Sequence, residues 1–100
     1  MTGATQGPLA GRHAVVTGGS RGIGLAIAQA LADAGASVTL MARDAARLDS
    51  AAAELRAIAT ARRVLAVTVD VADEASVNAA FAVARDANGA IDILVNNAGV

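Results

Sequence analysis

The sequence predicts an α/β fold, a doubly wound parallel sheet of strand order 3-2-1-4, and three observations carry that expectation. Short apolar runs alternate with segments of helical period along the whole chain. The runs are nearly continuous, as in strands covered on both faces, rather than alternating apolar with polar. A glycine cluster also stands between the first run and the first helical segment.

Each element follows in order. His13 to Thr17 is a short apolar run that ends in glycines and reads as a buried strand. Ile23, Ile27, Ala30, Leu31 and Ala34 then recur at spacings of three and four, which lines them up on one helix face, and Gly35 follows as a C-terminal cap. Ser37 to Met41 is a second strand. Asp44 is placed to cap a second helix, with Leu48, Leu55 and Ala59 on one side. Val64 to Val69 is a third strand, rich in the β-branched valine that favours extended backbone. Asp73 caps a third helix that turns Val77, Ala80, Phe81 and Ala84 inward and stops near Gly89, and Ile91 to Val95 is a fourth strand. Right-handed crossovers place the first strand centrally with the fourth beside it.

A chain of 100 residues holds one domain at most. Residues 1–11 read as a loose terminal arm, and 12–100 as the N-terminal portion of a single domain. The fourth strand is apolar and no helix follows to cover it, so the domain is expected to continue past Val100. Apolar residues make up 55% of the chain, mostly alanine, and no run reaches the roughly 18 residues that a membrane span needs. The first residues lack the basic start and apolar centre of a secretory signal. With no cysteine, disulfides, thiolate metal sites and a cysteine nucleophile are excluded, which fits a reducing cytoplasm. His13 is the sole histidine, so no metal site is expected. A net charge of −1, with arginines and acids interleaved, excludes the electrostatic footprint of a nucleic-acid binder. The expected protein is cytoplasmic, with neither nucleic acid nor membrane as a partner.

The chemistry is concentrated in TGGSRGIG, from Thr17 to Gly24. A dinucleotide pyrophosphate needs a tight turn, backbone amides free to approach it and the positive end of a helix dipole. Gly18 can make the turn, Gly22 can admit the phosphates and Gly24 can let the helix pack closely on the sheet. Such a loop by itself also fits an ordinary strand-to-helix turn, and its G-x-x-x-G-x-G spacing differs from the general G-x-G-x-x-G fingerprint. The P-loop alternative is excluded, since G-K-[ST] is missing.

Two further motifs sit at strand ends: Asp70-Val71 after the third strand, and NNAG, Asn96 to Gly99, after the fourth. Together with TGGSRGIG they resemble the pattern of the main branch of the short-chain dehydrogenase/reductase family, over about Leu9 to Val100. The resemblance implies a Rossmann-like sheet and a nicotinamide cofactor. It implies that Ser20, Arg21 and the amide of Ile23 contact the phosphates and the adenosine ribose. Asp70 would accept from the adenine amino group beside the Val71 amide, and Asn97, Ala98 and Gly99 would line the ribose nearer the nicotinamide. Read without the family, Asp70 also fits a turn or helix-capping aspartate. Asn96 is better explained as a tie between strands than as a ligand contact, and His13 as a structural residue at the bottom of the sheet, away from any cofactor.

Cofactor choice is read at the end of the second strand. NAD-specific sheets usually carry an acid there, which holds the ribose hydroxyls and repels a 2′-phosphate. Here Ala42 and Arg43 follow, and a guanidinium can bind the 2′-phosphate with Arg21 reaching it from the other side, so NADP(H) is expected over NAD(H). Asp44 would reverse that preference if it faced the pocket, whereas as a helix cap it leaves the choice to Arg43; Arg43 also fits a solvated surface residue.

Carbonyl reduction requires a positioned acid. In the family this is the tyrosine of Tyr-x-x-x-Lys, helped by a serine and an asparagine. All 8 basic residues here are arginine and there is no tyrosine, so no catalytic residue is expected among these 100. Two readings follow: the cofactor-binding part of an enzyme acting on a small alcohol or carbonyl compound, homo-oligomeric by family resemblance, or a non-catalytic nucleotide-binding module or truncated remnant.

Overall fold

The computed structural model describes residues 7–18, 20, 22–58 and 63–97. Four strands, β1 (His13–Thr17), β2 (Ser37–Ala42), β3 (Val64–Thr68) and β4 (Ile93–Asn96), form one sheet of order β3-β2-β1-β4. Every neighbouring pair is parallel. Helices α1 (Gly22–Asp33), α2 (Ala45–Arg56) and α3 (Glu74–Asn88) supply the crossovers. The expected architecture and strand order are therefore observed.

Register divides the core between two faces. Val16, Val38 and Leu40 point toward α1 and α2, where Ala28, Ala32, Leu48, Ala51, Ala52 and Leu55 meet them. Val15 and Met41 point the other way and join Val69, Ala80 and Ala84 beneath α3, with Val77, Phe81 and Ile91 packed partly buried around them. β1 and β2 are buried on both faces; one is apolar, while on the other Val15 and Met41 share the interior with the buried polar His13 and Thr39. Among the described residues no helix is long and apolar enough to cross a membrane.

The inward face of α1 differs from the one that spacing suggests. Its buried residues are Gly24, Ala28 and Ala32, while Ile23 is 71% exposed and Ala30 is exposed. Ile27, Leu31 and Ala34 are only half-buried. The smallest side chains face the sheet because the helix lies close against it, and a larger residue on that line would hold it off. Ala59, expected on the buried side of the second helix, lies outside the described residues.

The helix ends are built as their residues allow. Gly35, at φ +99°, closes α1 in a Schellman arrangement: its amide donates to the Ala32 carbonyl, and the Ala36 amide donates to that of Leu31. Asp44 caps α2 by accepting the Arg47 N–H, and Asp73 caps α3 by accepting those of Ala75 and Ser76. α3 stops at Gly89, also left-handed at φ +85°. β4 begins at Ile93 rather than Ile91, since Ile91 turns into the α3 side of the core and the Asp92 amide bonds the His13 carbonyl at 2.9 Å. β4 forms one edge of the sheet, and its Leu94 is 55% exposed.

Ala28, fully buried between α1 and the sheet, leaves no space for a larger side chain. Ala28→Leu is expected to destabilise the full-length protein by about 1–3 kcal/mol through overpacking. A urea unfolding midpoint unchanged from wild type would show that α1 has slack against the sheet.

Candidate functional site

The carboxyl ends of all four strands lie along one edge of the sheet, and strand order reverses between β1 and β4. In open α/β sheets that crevice is where ligands bind. Thr17 and Gly18 leave β1 there, Arg43 leaves β2, Asp70 follows β3 and Asn96 and Asn97 end β4. The sequence motifs are thus brought to one edge by topology alone.

The glycine loop is shaped by three distinct backbone demands. Gly18 adopts φ +70° as the chain turns out of β1, and its amide donates to the Met41 carbonyl at 2.7 Å, which ties the loop to β2. Gly22 adopts φ +62° at the start of α1, and a Cβ built there meets nothing within 4 Å, so the space above it is open. Gly24 is the opposite case. A Cβ at Gly24 would collide with the Gly18 carbonyl and the side-chain Nδ2 of Asn97, so its hydrogen is what allows α1 to lie against the loop. No acidic residue occupies the first turn of α1, which leaves the positive end of its dipole without a carboxylate from that turn. Ser20 lines an open cleft of about 330 Å³ between the loop and α2, together with Leu25, Arg47 and Ser50. Ile23 stands in solvent beside the loop. Arg21, expected at the phosphates, lies outside the described residues, as do Ala98 and Gly99.

Beyond β2, Asp44 is committed to its own helix. It adopts φ −89° and ψ 104°, its Oδ1 accepts from the Arg47 amide at 3.1 Å, and its Oδ2 lies 3.5 Å from the Arg47 Nε. Arg43 is exposed. This pairing of Asp44 with Arg47 leaves no trace in spacing beyond the capping position itself.

Asp70 shows both of its readings at once. Its Oδ1 accepts from the Ala72 amide at 3.0 Å, and its own amide donates to Ser76 Oγ at 3.0 Å, so it builds the turn into α3. Its side chain is nevertheless exposed at the strand end, and Val71 beside it is 48% exposed.

At β4 the decisive group is the Thr17 hydroxyl. It donates toward Asn96 Oδ1 at 3.0 Å and the Val95 carbonyl at 3.3 Å, and accepts from the Asn97 amide at 3.1 Å. Asn96 is a tie between strands, and its neighbour Asn97 is half-buried beside Gly24. Among the described residues no cluster of side chains could hold a metal ion.

A family profile described as short chain dehydrogenase matches residues 12–100. The chain is 45% identical, over 91 residues, to a rhamnolipid-biosynthesis 3-oxoacyl-[acyl-carrier-protein] reductase of Pseudomonas aeruginosa, covering 91% of this chain and 34% of that protein. It is 45% identical over 93 residues to gluconate 5-dehydrogenase of Gluconobacter oxydans, covering 92% of this chain and 35% of that protein. Among solved structures, L-sorbose reductase of Gluconobacter frateurii in complex with NADPH and L-sorbose superposes with a TM-score of 0.86 at 47% identity, over 96% of this chain and 36% of that one. The chain thus spans about a third of the length of the relatives it matches.

Replacing Thr17 by valine keeps the shape and removes every one of the hydroxyl's bonds. Thr17→Val should cost about 1–3 kcal/mol, because Asn96 Oδ1 loses its donor and the Asn97 amide keeps only its 3.3 Å bond to the Thr17 carbonyl, and should speed amide exchange at the end of β4. Thr17→Ser should keep most of the stability. Equal losses in the two variants would mean that the methyl group, not the hydroxyl, holds the strands.

Proposed function

Because the chain belongs to the short-chain dehydrogenase/reductase family, we propose that it forms the cofactor-binding portion of an NADP(H)-dependent oxidoreductase acting on a small alcohol or carbonyl compound. The observation that carries the cofactor choice is the commitment of Asp44 to the cap of α2, which leaves exposed Arg43 as the charge at the end of β2. The solved complex of L-sorbose reductase with NADPH supports the same reading by likeness.

The residues present fit such a group. The open space above Gly22 and the uncompensated first turn of α1 suit a pyrophosphate held by backbone amides. Ser20, Arg21 and the Ile23 amide hold the phosphates and adenosine ribose. Arg43 reads the 2′-phosphate through charge-assisted hydrogen bonds, Asp70 and Val71 take the adenine, and Asn97, Ala98 and Gly99 take the ribose nearer the nicotinamide. When bound, the nicotinamide donates or accepts the hydride. Gly24 and Asn97 set the depth of the crevice, since at Gly24 the helix has no side chain and the Asn97 side chain packs directly against its backbone. The acid that protonates the developing alkoxide comes from outside these 100 residues, which contain no tyrosine or lysine. The alternative reading is a nucleotide-binding module without turnover.

Three measurements bear on these readings. The 100 residues alone should show no substrate-dependent consumption of NADPH, and steady turnover free of host enzymes would place an acid within them. In the full-length protein, Gly22→Val should abolish cofactor binding while the sheet stays folded, since valine fills the space the pyrophosphate needs and cannot hold the loop's φ of +62°; unchanged affinity would put the site elsewhere. Arg43→Leu should weaken NADPH binding by roughly ten- to a hundredfold, equivalent to about 1.5–3 kcal/mol, and leave NADH nearly unaffected. Tighter wild-type binding of NADH, or equal loss of both cofactors, would end the NADP(H) assignment.

A further inference from the structure

At the opposite end of the sheet from the crevice, a polar knot lies within an otherwise apolar core. His13 is 1% exposed and Thr39 0%. The His13 Nδ1 lies 3.0 Å from the Gly89 carbonyl oxygen, its Nε2 lies 2.8 Å from Thr39 Oγ1, and Asn88 Nδ2 donates to that same Oγ1 at 3.2 Å. Among the described residues no buried side-chain nitrogen or oxygen lacks a partner.

Hydrogen-bond chemistry gives this chain a direction. A carbonyl oxygen only accepts, so Nδ1 carries a proton. The amide nitrogen of Asn88 only donates, so Thr39 Oγ1 accepts from it and has its single proton left for Nε2. In that direction both ring nitrogens and the Thr39 proton have partners. Were Nε2 protonated as well, Thr39 Oγ1 would face two donors, and its own proton would need an acceptor that these contacts do not offer.

We propose that Asn88, Thr39 and His13 form a directional hydrogen-bond relay that fixes His13 as the neutral Nδ1–H tautomer, and that His13 so held is the positioning residue for the start of β4. The main chain and side chain of this one residue grip both ends of the turn from α3 into β4. The ring holds Gly89, while the His13 carbonyl accepts from the Asp92 amide at 2.9 Å and the His13 amide donates to Asp92 Oδ2 at 2.9 Å. The charged groups around the knot are engaged elsewhere. Asp92 faces the His13 main chain and lies 3.6 Å from Arg12, and Arg63, which lines the same shallow cleft as Asn88, donates to the Ala87 carbonyl at 2.7 Å. Residue 88 therefore sets the polarity of the ring. An acceptor there would turn the Thr39 hydroxyl around and call for a second proton on His13.

The test is the ring nitrogen spectrum of histidine-labelled full-length protein at neutral pH, with His13 assigned by its loss in His13→Gln. Wild type should show the neutral Nδ1–H pattern; an Nε2–H tautomer or a doubly protonated ring would overturn the relay without any variant being made. Asn88→Asp, which keeps the side-chain shape, should protonate both ring nitrogens, and Thr39→Val in that background should return the ring to neutral. A ring indifferent to Asn88→Asp, or one that still responds when Thr39 is valine, would show that residue 88 does not act through the hydroxyl. In Asn88→Ala, exchange of the Asp92 amide should quicken severalfold relative to amides of β2; protection equal to wild type would overturn the positioning role.

Discussion

The close approach of α1 to the glycine loop and to the end of β4 is the constraint on which the site depends. Gly24 touches the Gly18 carbonyl and the Asn97 side chain where any Cβ would collide, and Ala28 and Ala32 continue the same line down the helix. A helix seated at that depth brings its first amides level with the strand ends, which is where a pyrophosphate can use both the amides and the dipole. The Thr17 hydroxyl secures the other wall by joining β1 to β4 within the same few ångströms. Shape at this edge is set by main chain and small side chains, with few flexible groups to rearrange.

Charge at the site is divided by role. Asp44 gives one oxygen to a backbone amide and turns the other toward Arg47, an exposed pair that contributes little stability of its own. Its value is the cap, and the cap in turn decides which side chain is left at the end of β2. Under the proposed reading, one aspartate thus links helix initiation to cofactor preference.

Much of this was legible in the sequence for physical reasons. Strands buried on both faces produce unbroken apolar runs, capping needs a specific residue one step before a helix, and a backbone-lined anion site needs glycines at fixed spacing. The strand order, the caps Asp44 and Asp73, and the strand-tying role of Asn96 all follow from such local demands. The buried face of α1 did not follow, because periodicity weighs large aliphatic residues such as Ile23, whereas close packing selects Gly24, Ala28 and Ala32. The start of β4 was misplaced because Ile91 is apolar for the sake of the α3 cluster, not of the sheet. The partners of His13 were invisible, since Thr39 lies 26 positions away and Gly89 lies 76. Spacing cannot register a contact that only the tertiary fold creates.

The bond from Thr17 to Asn96 spans 79 positions in the chain. Pairings of that separation are reached late in folding, since closing so long a loop costs entropy that local contacts do not. β1, α1 and β2 are neighbours in sequence and can assemble as each leaves the ribosome, but the wall of the crevice formed by β4 waits for the crossover of α3 past β2. A cofactor that needs both walls has no complete site to bind on the partly folded chain. It can reward only a sheet in which β4 is paired, and its free energy of binding therefore acts on the pairing of β4 with β1.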